Sequence, residues 1–191
     1  TDRVYDISKN INADYYLMLN GDEPLISSKA IDDFVKESLL EKKEVYNLMS
    51  GFNSFHELID VSNLKIVTNS NGMGLYISRN VIPYPKGTND YIYKKFIGAC
   101  ILSKNSLMFF NDNKKGVLET SEGNDLLRFI ENGFPVKFID TNIKSLSVDF
   151  PEDIQKVEKM LSDKWLDPIL LPEKKTLKTQ KKVLEKSKVI Y

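Results

Sequence analysis

One cysteine, one histidine and one tryptophan in 191 residues leave most familiar catalytic and cross-linking chemistry out of this chain. Cys100 alone forms no internal disulfide and cannot build a cysteine metal cluster, which points to a reducing, cytoplasmic setting. Its apolar surroundings, "FIGACIL", mark it as a core residue rather than a nucleophile. His56 has no serine or cysteine partner, so a catalytic dyad finds no support, and it reads as a surface or partly buried imidazole. No apolar run approaches the ~20 residues needed to span a bilayer. There is no glycine-rich phosphate loop. Neither sign of charge prevails: Lys+Arg and Asp+Glu both total 27, which gives no overall field for nucleic acid or a membrane. The opening "TDRVYDISKN" is polar from its first residue and has neither a signal peptide nor an initiator Met, so it reads as a chain entered midway.

Arginine is scarce in a second sense. Of 27 basic residues 24 are Lys, and only Arg3, Arg79 and Arg128 are Arg. A lysine-favouring codon bias accounts for this. Against it, each remaining Arg is a candidate for a place that needs a planar five-donor fork.

What is present reads as one α/β domain. The length suffices for a sizeable core, and 41% hydrophobic with 28% charged residues is ordinary for a globular chain. "DYYLMLN" is a buried-strand pattern that stops at Gly21. The following "SSKAIDDFVKESLLEKK" has Ser27 or Ser28 as helix cap, with Ile31, Phe34, Val35, Ser38 and Leu39 on one face. "NLKIVT" and "GLYIS" flank Asn71-Gly72, a strong hairpin signal. The loop "RNVIPYPKGTND" leads to a core strand, "YIYKKFIGACIL", and a short helix, "SKNSLMFFN". "GNDLLRFIEN" turns Leu126, Leu127 and Ile130 inward and stops at Gly133. "PVKFID" is a further strand, and Pro151 with its acids opens a last helix, "PEDIQKVEKML". From about Lys174 the pattern fails. "EKKTLKTQKKVLEKSKVIY" carries seven Lys against two Glu and reads as a solvated basic appendage.

Three motifs carry chemistry, each with a plainer alternative. In "NGDEP", Asp22 ends a strand at the sheet edge where open α/β folds place ligands. A carboxylate there can hold Mg²⁺, or it can serve an Asx-type turn. In "SVDFPEDI", Asp149 repeats that geometry as a second ligand or as a helix cap, while Glu152 and Asp153 suit the helix dipole. Arg79 in "YISRNVIPYP" suits a carboxylate or phosphate gripped bidentately, or it is an edge-strand charge.

Taken in order, "TDR", "NGDEPLI", "LKIV" with "GLYISRNVIPYP", "KFIG", "LETSEGNDLLRFIENG" and "SVDFPEDIQKVEKML" resemble the CMP-Kdo synthetase family (3-deoxy-manno-octulosonate cytidylyltransferases) and its sugar-acid and phosphonate-activating relatives. The resemblance runs from Thr1 to about Leu161. It implies a Rossmann-like nucleotidyltransferase fold with a mixed sheet and an inserted β-hairpin region. It also implies Mg²⁺-dependent transfer of CMP from CTP to a small acidic acceptor, with pyrophosphate leaving. Asp22 and Asp149 would then be the metal-binding, catalytic acids. Asn20, Gly21, Arg79, Phe96 and Asp125 would fall on substrate-contacting positions, Arg79 facing the acceptor carboxylate. All three Arg lie on family motifs. The domain would cover 1–165, with a hairpin insert at about 60–110 through which the family dimerises, and a basic tail over 166–191.

Departures from the family pattern point to the acceptor. Asn20 stands for the usual Gln, Phe96 for His, Cys100 or Leu102 for Tyr, and Asp125-Leu126 for Glu-Gln. Losing several polar groups at once disfavours a polyhydroxylated eight-carbon sugar and favours a smaller or less hydroxylated acid or a phosphonate. Phe150 replaces the usual Thr, removing a cap at a cost of ~1 kcal/mol. The family's first strand and CTP-cradling loop would lie upstream of Thr1, so the expectation is an N-terminally truncated chain, incompetent alone. A degenerate homologue kept for dimerisation or binding is the rival expectation.

Overall fold

A computed structural model describes residues 1–87, 90–143, 145–148 and 150–165, and the backbone of 189–190. Apart from that last pair, the basic segment expected over 166–191 lies outside the described residues.

Short helix α1 (Asp2–Ser8) leads to β1 (Tyr15–Leu19), the strand expected from "DYYLMLN". Helix α2 (Ser28–Glu41) follows, and Ser27 is its cap, accepting a hydrogen bond from the Ala30 N–H at 3.3 Å. It ends at Lys42, which takes the left-handed conformation (φ 51°). Then come β2 (Val45–Gly51), the single-turn α3 (Phe55–Ile59), β3 (Lys65–Thr68) and β4 (Gly74–Ser78). The chain continues with β5 (Lys94–Ser103), α4 (Lys104–Asp112), α5 (Val117–Glu122), α6 (Leu126–Glu131), β6 (Lys137–Thr141), α7 (Pro151–Trp165) and β7 (Val189–Ile190).

The sheet is built around β5, the longest strand. Along one edge β5 runs antiparallel to β2, from Val45↔Leu102 to Gly51↔Lys94, with a bulge between Asn47 and Met49. Its other edge is shared end to end. Strand β1 takes Ala99–Ser103, and β3 takes Lys94 and Lys95. Beyond β2 lies β6, in parallel, and beyond β1 lies β7, also parallel. The sheet is therefore mixed, as the α/β reading expects.

Helix α2 covers one face, where Ile31, Phe34 and Val35 pack on Tyr46, Leu48, Ile97, Ala99 and Ile101. The opposite face meets α4 and α6, whose Leu107, Phe110, Leu126, Leu127 and Phe129 bury against Val45, Cys100, Leu102 and Phe138. Each such side chain taken from water stabilises the fold by about 1.5–3 kcal/mol.

The β3–β4 hairpin does more than extend an edge. Its turn carries Gly72 at φ 73°, and the Asn69 carboxamide accepts from the N–H groups of Asn71 and Met73. Asn71 stays at negative φ, so this is a three-residue loop closed by a left-handed glycine rather than a two-residue type I′ turn. The turn then reaches β6: Gly74 N–H donates to Val136 O and Phe138 N–H to Gly72 O, both at 2.8 Å. Gly74 is needed there, because a Cβ would lie 2.5 Å from the Phe138 ring.

Candidate active site at the end of the first strand

Strand β1 ends at Asn20, whose N–H still bonds Gly98 O on β5 at 2.8 Å. Gly98 permits this closeness, since a Cβ there would stand 2.7 Å from Asn20 Cβ. The chain then turns, leaving Gly21 and Asp22 exposed and burying Glu23 to 8% exposure. Among the described residues the Asp22 carboxylate accepts no hydrogen bond; only its backbone oxygen is used, by the Val148 N–H at 2.8 Å. An Asx-type turn would consume that side chain, and here it does not.

A cleft of about 660 Å³ opens beside this turn. Asn20, Gly21 and Asp22 form one wall, with Met18 and Leu19 from β1, and Thr1 to Val4 at the start of α1 form the other. Arg3 therefore stands in the same cleft as Asp22. In the sequence Arg3 is marked only by its rarity among the basic residues and by its place in "TDR".

The remaining expected residues take separate places. Asp125 precedes α6, and its carboxylate accepts from the Thr1 backbone nitrogen at 2.8 Å, which connects it to the cleft wall. Arg79 lies just past β4 with its fork turned to backbone: Nε donates to Glu122 O and Nη1 to Val61 O, both at 2.9 Å. Glu122 in turn accepts from Ser78 Oγ, the Arg79 N–H and Tyr76 Oη, closing the end of α5 onto β4. Phe96 packs against the core on the sheet face that also carries Cys100 and Leu102. Asp149 lies outside the described residues, although Val148 before it is fixed on the Asp22 turn. Among the described residues no three His, Cys, Asp or Glu side chains gather as a metal cage. Mg²⁺ needs only one or two carboxylates when phosphates and water supply the rest, and an exposed, unbonded Asp22 on an open cleft fits that demand.

Two buried cations are structural. Arg128 is buried, with Nε and Nη2 on the two oxygens of Glu119 at 2.7 and 2.8 Å, and Nη1 on Phe110 O at 3.1 Å. Lys65 is also buried, and its ammonium donates to the carbonyls of Asp60, Asn63 and Arg79. Burial pushes its pKa down.

A family model described as cytidylyltransferase matches residues 1–190. A 3-deoxy-manno-octulosonate cytidylyltransferase of Christiangramia forsetii is 30% identical over 166 residues, 85% of this chain and 67% of that protein. The Solibacter usitatus protein of the same description is 33% identical over 162 residues, 84% and 64% of the two chains. The chain thus spans about two thirds of the length of these relatives. A solved CMP:2-keto-3-deoxy-manno-octonic acid synthetase complexed with CTP superposes with a TM-score of 0.78 at 25% identity, over 85% of this chain and 68% of that one.

Proposed function

Because the chain belongs to the cytidylyltransferase family, we propose that it forms part of an enzyme transferring CMP from CTP to a sugar acid or related small acid, with release of pyrophosphate. The observation that carries this is Asp22: an exposed carboxylate, unbonded among the described residues, on the wall of a cleft that also holds Arg3. Asp22, with Asp149, would hold Mg²⁺. When bound, Mg²⁺ would neutralise phosphate charge and orient the α-phosphate for attack by the acceptor hydroxyl.

This chain's own residues do the positioning. Asn20 and Gly21 present the strand end to the acceptor, and Gly98 keeps that end against β5. Arg3 supplies positive charge across the cleft from Asp22, suited to an anionic substrate group. Arg79 has Nε and Nη1 on carbonyls, and its Nη2, without a hydrogen bond among the described residues, suits the acceptor carboxylate. Phe96 removes a polar partner from the same side of the sheet, which favours an acceptor with fewer hydroxyls than Kdo, a phosphonate included. A homodimer fits the apolar surface around the hairpin insert, where Phe55 and Ile92 are each 71% exposed and Tyr84 is 84% exposed. No helix among the described residues is long and apolar enough to cross a membrane. A cytoplasmic setting fits the unpaired, buried Cys100.

The test is pyrophosphate release from CTP by the full-length protein, with Mg²⁺ and a panel of sugar acids and phosphonates. Turnover with an acceptor less hydroxylated than Kdo is the expected result. Absence of turnover with every acceptor would favour a non-catalytic homologue instead.

A further inference from the structure

The buried carboxylate of Glu23 is not explained by a turn. Its neighbours Asp22 and Pro24 are exposed, as turn residues usually are, yet Glu23 points inward and is 8% exposed. A buried carboxylate is costly unless donors surround it. Here three do. Gly98 N–H reaches Oε1 at 3.3 Å, Ser147 Oγ reaches Oε1 at 2.9 Å, and Ser145 Oγ bonds Oε2. Among the described residues no cation pairs with Glu23. It therefore works as a pure acceptor joining three segments: the turn after β1, the middle of β5, and residues 145–148.

That last segment has no sheet ladder of its own. Besides Glu23, it is held by Val148 N–H on Asp22 O and by Lys95 Nζ on Ser145 O at 3.2 Å. Lys95 is itself buried and paired with Glu57 at 2.8 Å, so the donor beneath the segment is fixed. Two serines two residues apart grip one carboxylate, and the segment they fix bonds the backbone of Asp22 directly.

We propose that Glu23 is a positioning residue that clamps the 145–148 segment against the Asp22 turn and so sets the metal-binding geometry of the cleft. The inference rests on the cytidylyltransferase reading above. Both carboxylate oxygens of Glu23 are engaged by protein donors, so its effect on the cleft is indirect. It acts through Ser145 and Ser147, and the clamp delivers the chain at Val148, one residue before the second proposed carboxylate.

The experiment uses the full-length protein with Glu23→Gln, and separately Ser145→Ala and Ser147→Ala as milder variants. Pyrophosphate release is measured against Mg²⁺ concentration, and thermal melting is followed without metal. The clamp requires the Mg²⁺ needed for half-maximal rate to rise about tenfold or more in Glu23→Gln, as for outer-shell partners of metal ligands. Smaller rises follow in the serine variants, and rate is partly regained at high Mg²⁺. A rate that falls only with the folded fraction, at an unchanged Mg²⁺ requirement, overturns the proposal. Asp22→Asn separates the two readings. If Asp22→Asn destroys activity while every Glu23 and serine variant keeps the wild-type Mg²⁺ requirement, only the clamp fails. If Asp22→Asn leaves the rate and its Mg²⁺ dependence unchanged, the metal reading fails and the clamp falls with it.

Discussion

Arg128 illustrates both the reach and the limit of reading single residues. Its rarity among 24 lysines pointed to a site needing a bidentate fork, and the fork is there, but its partner is Glu119 inside the protein. Composition can flag the geometry a guanidinium needs; it cannot say whether the carboxylate opposite belongs to a substrate. Removing one member of such a buried pair leaves the other charged and unmatched. Arg128→Ala is therefore expected to destabilise the protein by about 3–5 kcal/mol in urea unfolding, and a loss below ~1 kcal/mol would contradict this pairing. Burial also holds two neutral acids in place, with Tyr46 and Cys100 each pushed up to about 12. The unfolded chain releases these protons near their ordinary values, so between about pH 9 and 12 it binds fewer protons than the folded chain. Their contribution to stability is complete below that window and is lost as pH rises through it. Tyr46→Phe should flatten the decline in unfolding free energy above pH 10. Cys100 should resist thiol reagents at pH 8 until denaturant is added; fast labelling of the native protein would place it outside the core.

Whole elements were legible where one pattern was clean. Helix α2 follows its apolar face and serine cap, and the hairpin follows Asn71-Gly72. Strand β2 was not read, because Asn47 and Ser50 interrupt its apolar run. Both polar groups are nonetheless buried, Asn47 at the bulge with its amide on Leu48 O and Ile97 O. A strand covered on both faces need not alternate, so periodicity had nothing to detect. The docking of the hairpin turn on β6 was equally invisible, since it depends on contacts distant in sequence. It can be tested at Gly74. Gly74→Ala should cost about 1–3 kcal/mol by forcing a methyl into Phe138, whereas Gly51→Ala, with open space around it, serves as the control.

At the scale of the molecule, the sheet end that carries Asp22 was correctly placed by the strand-then-turn pattern of "LMLNGDEPLI", and the same topology gathers Asn20, Gly21 and Asp22 into one cleft wall. The opposite wall was not legible. That α1 folds back beside β1 and brings Arg3 to the cleft is a tertiary fact with no local signal. The burial of Glu23 was hidden for the same reason, because its partners Ser145 and Ser147 lie more than 120 residues away. The proposed site thus draws on segments distant in sequence, around one strand terminus. Asp22 is central to the proposed site, and its carboxylate, exposed and unbonded among the described residues, makes its proposed chemical role separable from its structural one. The most direct measurement is CTP-dependent pyrophosphate release by full-length Asp22→Asn protein beside the unaltered protein, with melting temperature recorded for both. A fall of about 10²-fold or more with an unchanged melting temperature is expected. Wild-type turnover by Asp22→Asn, with wild-type Mg²⁺ dependence, would contradict the account.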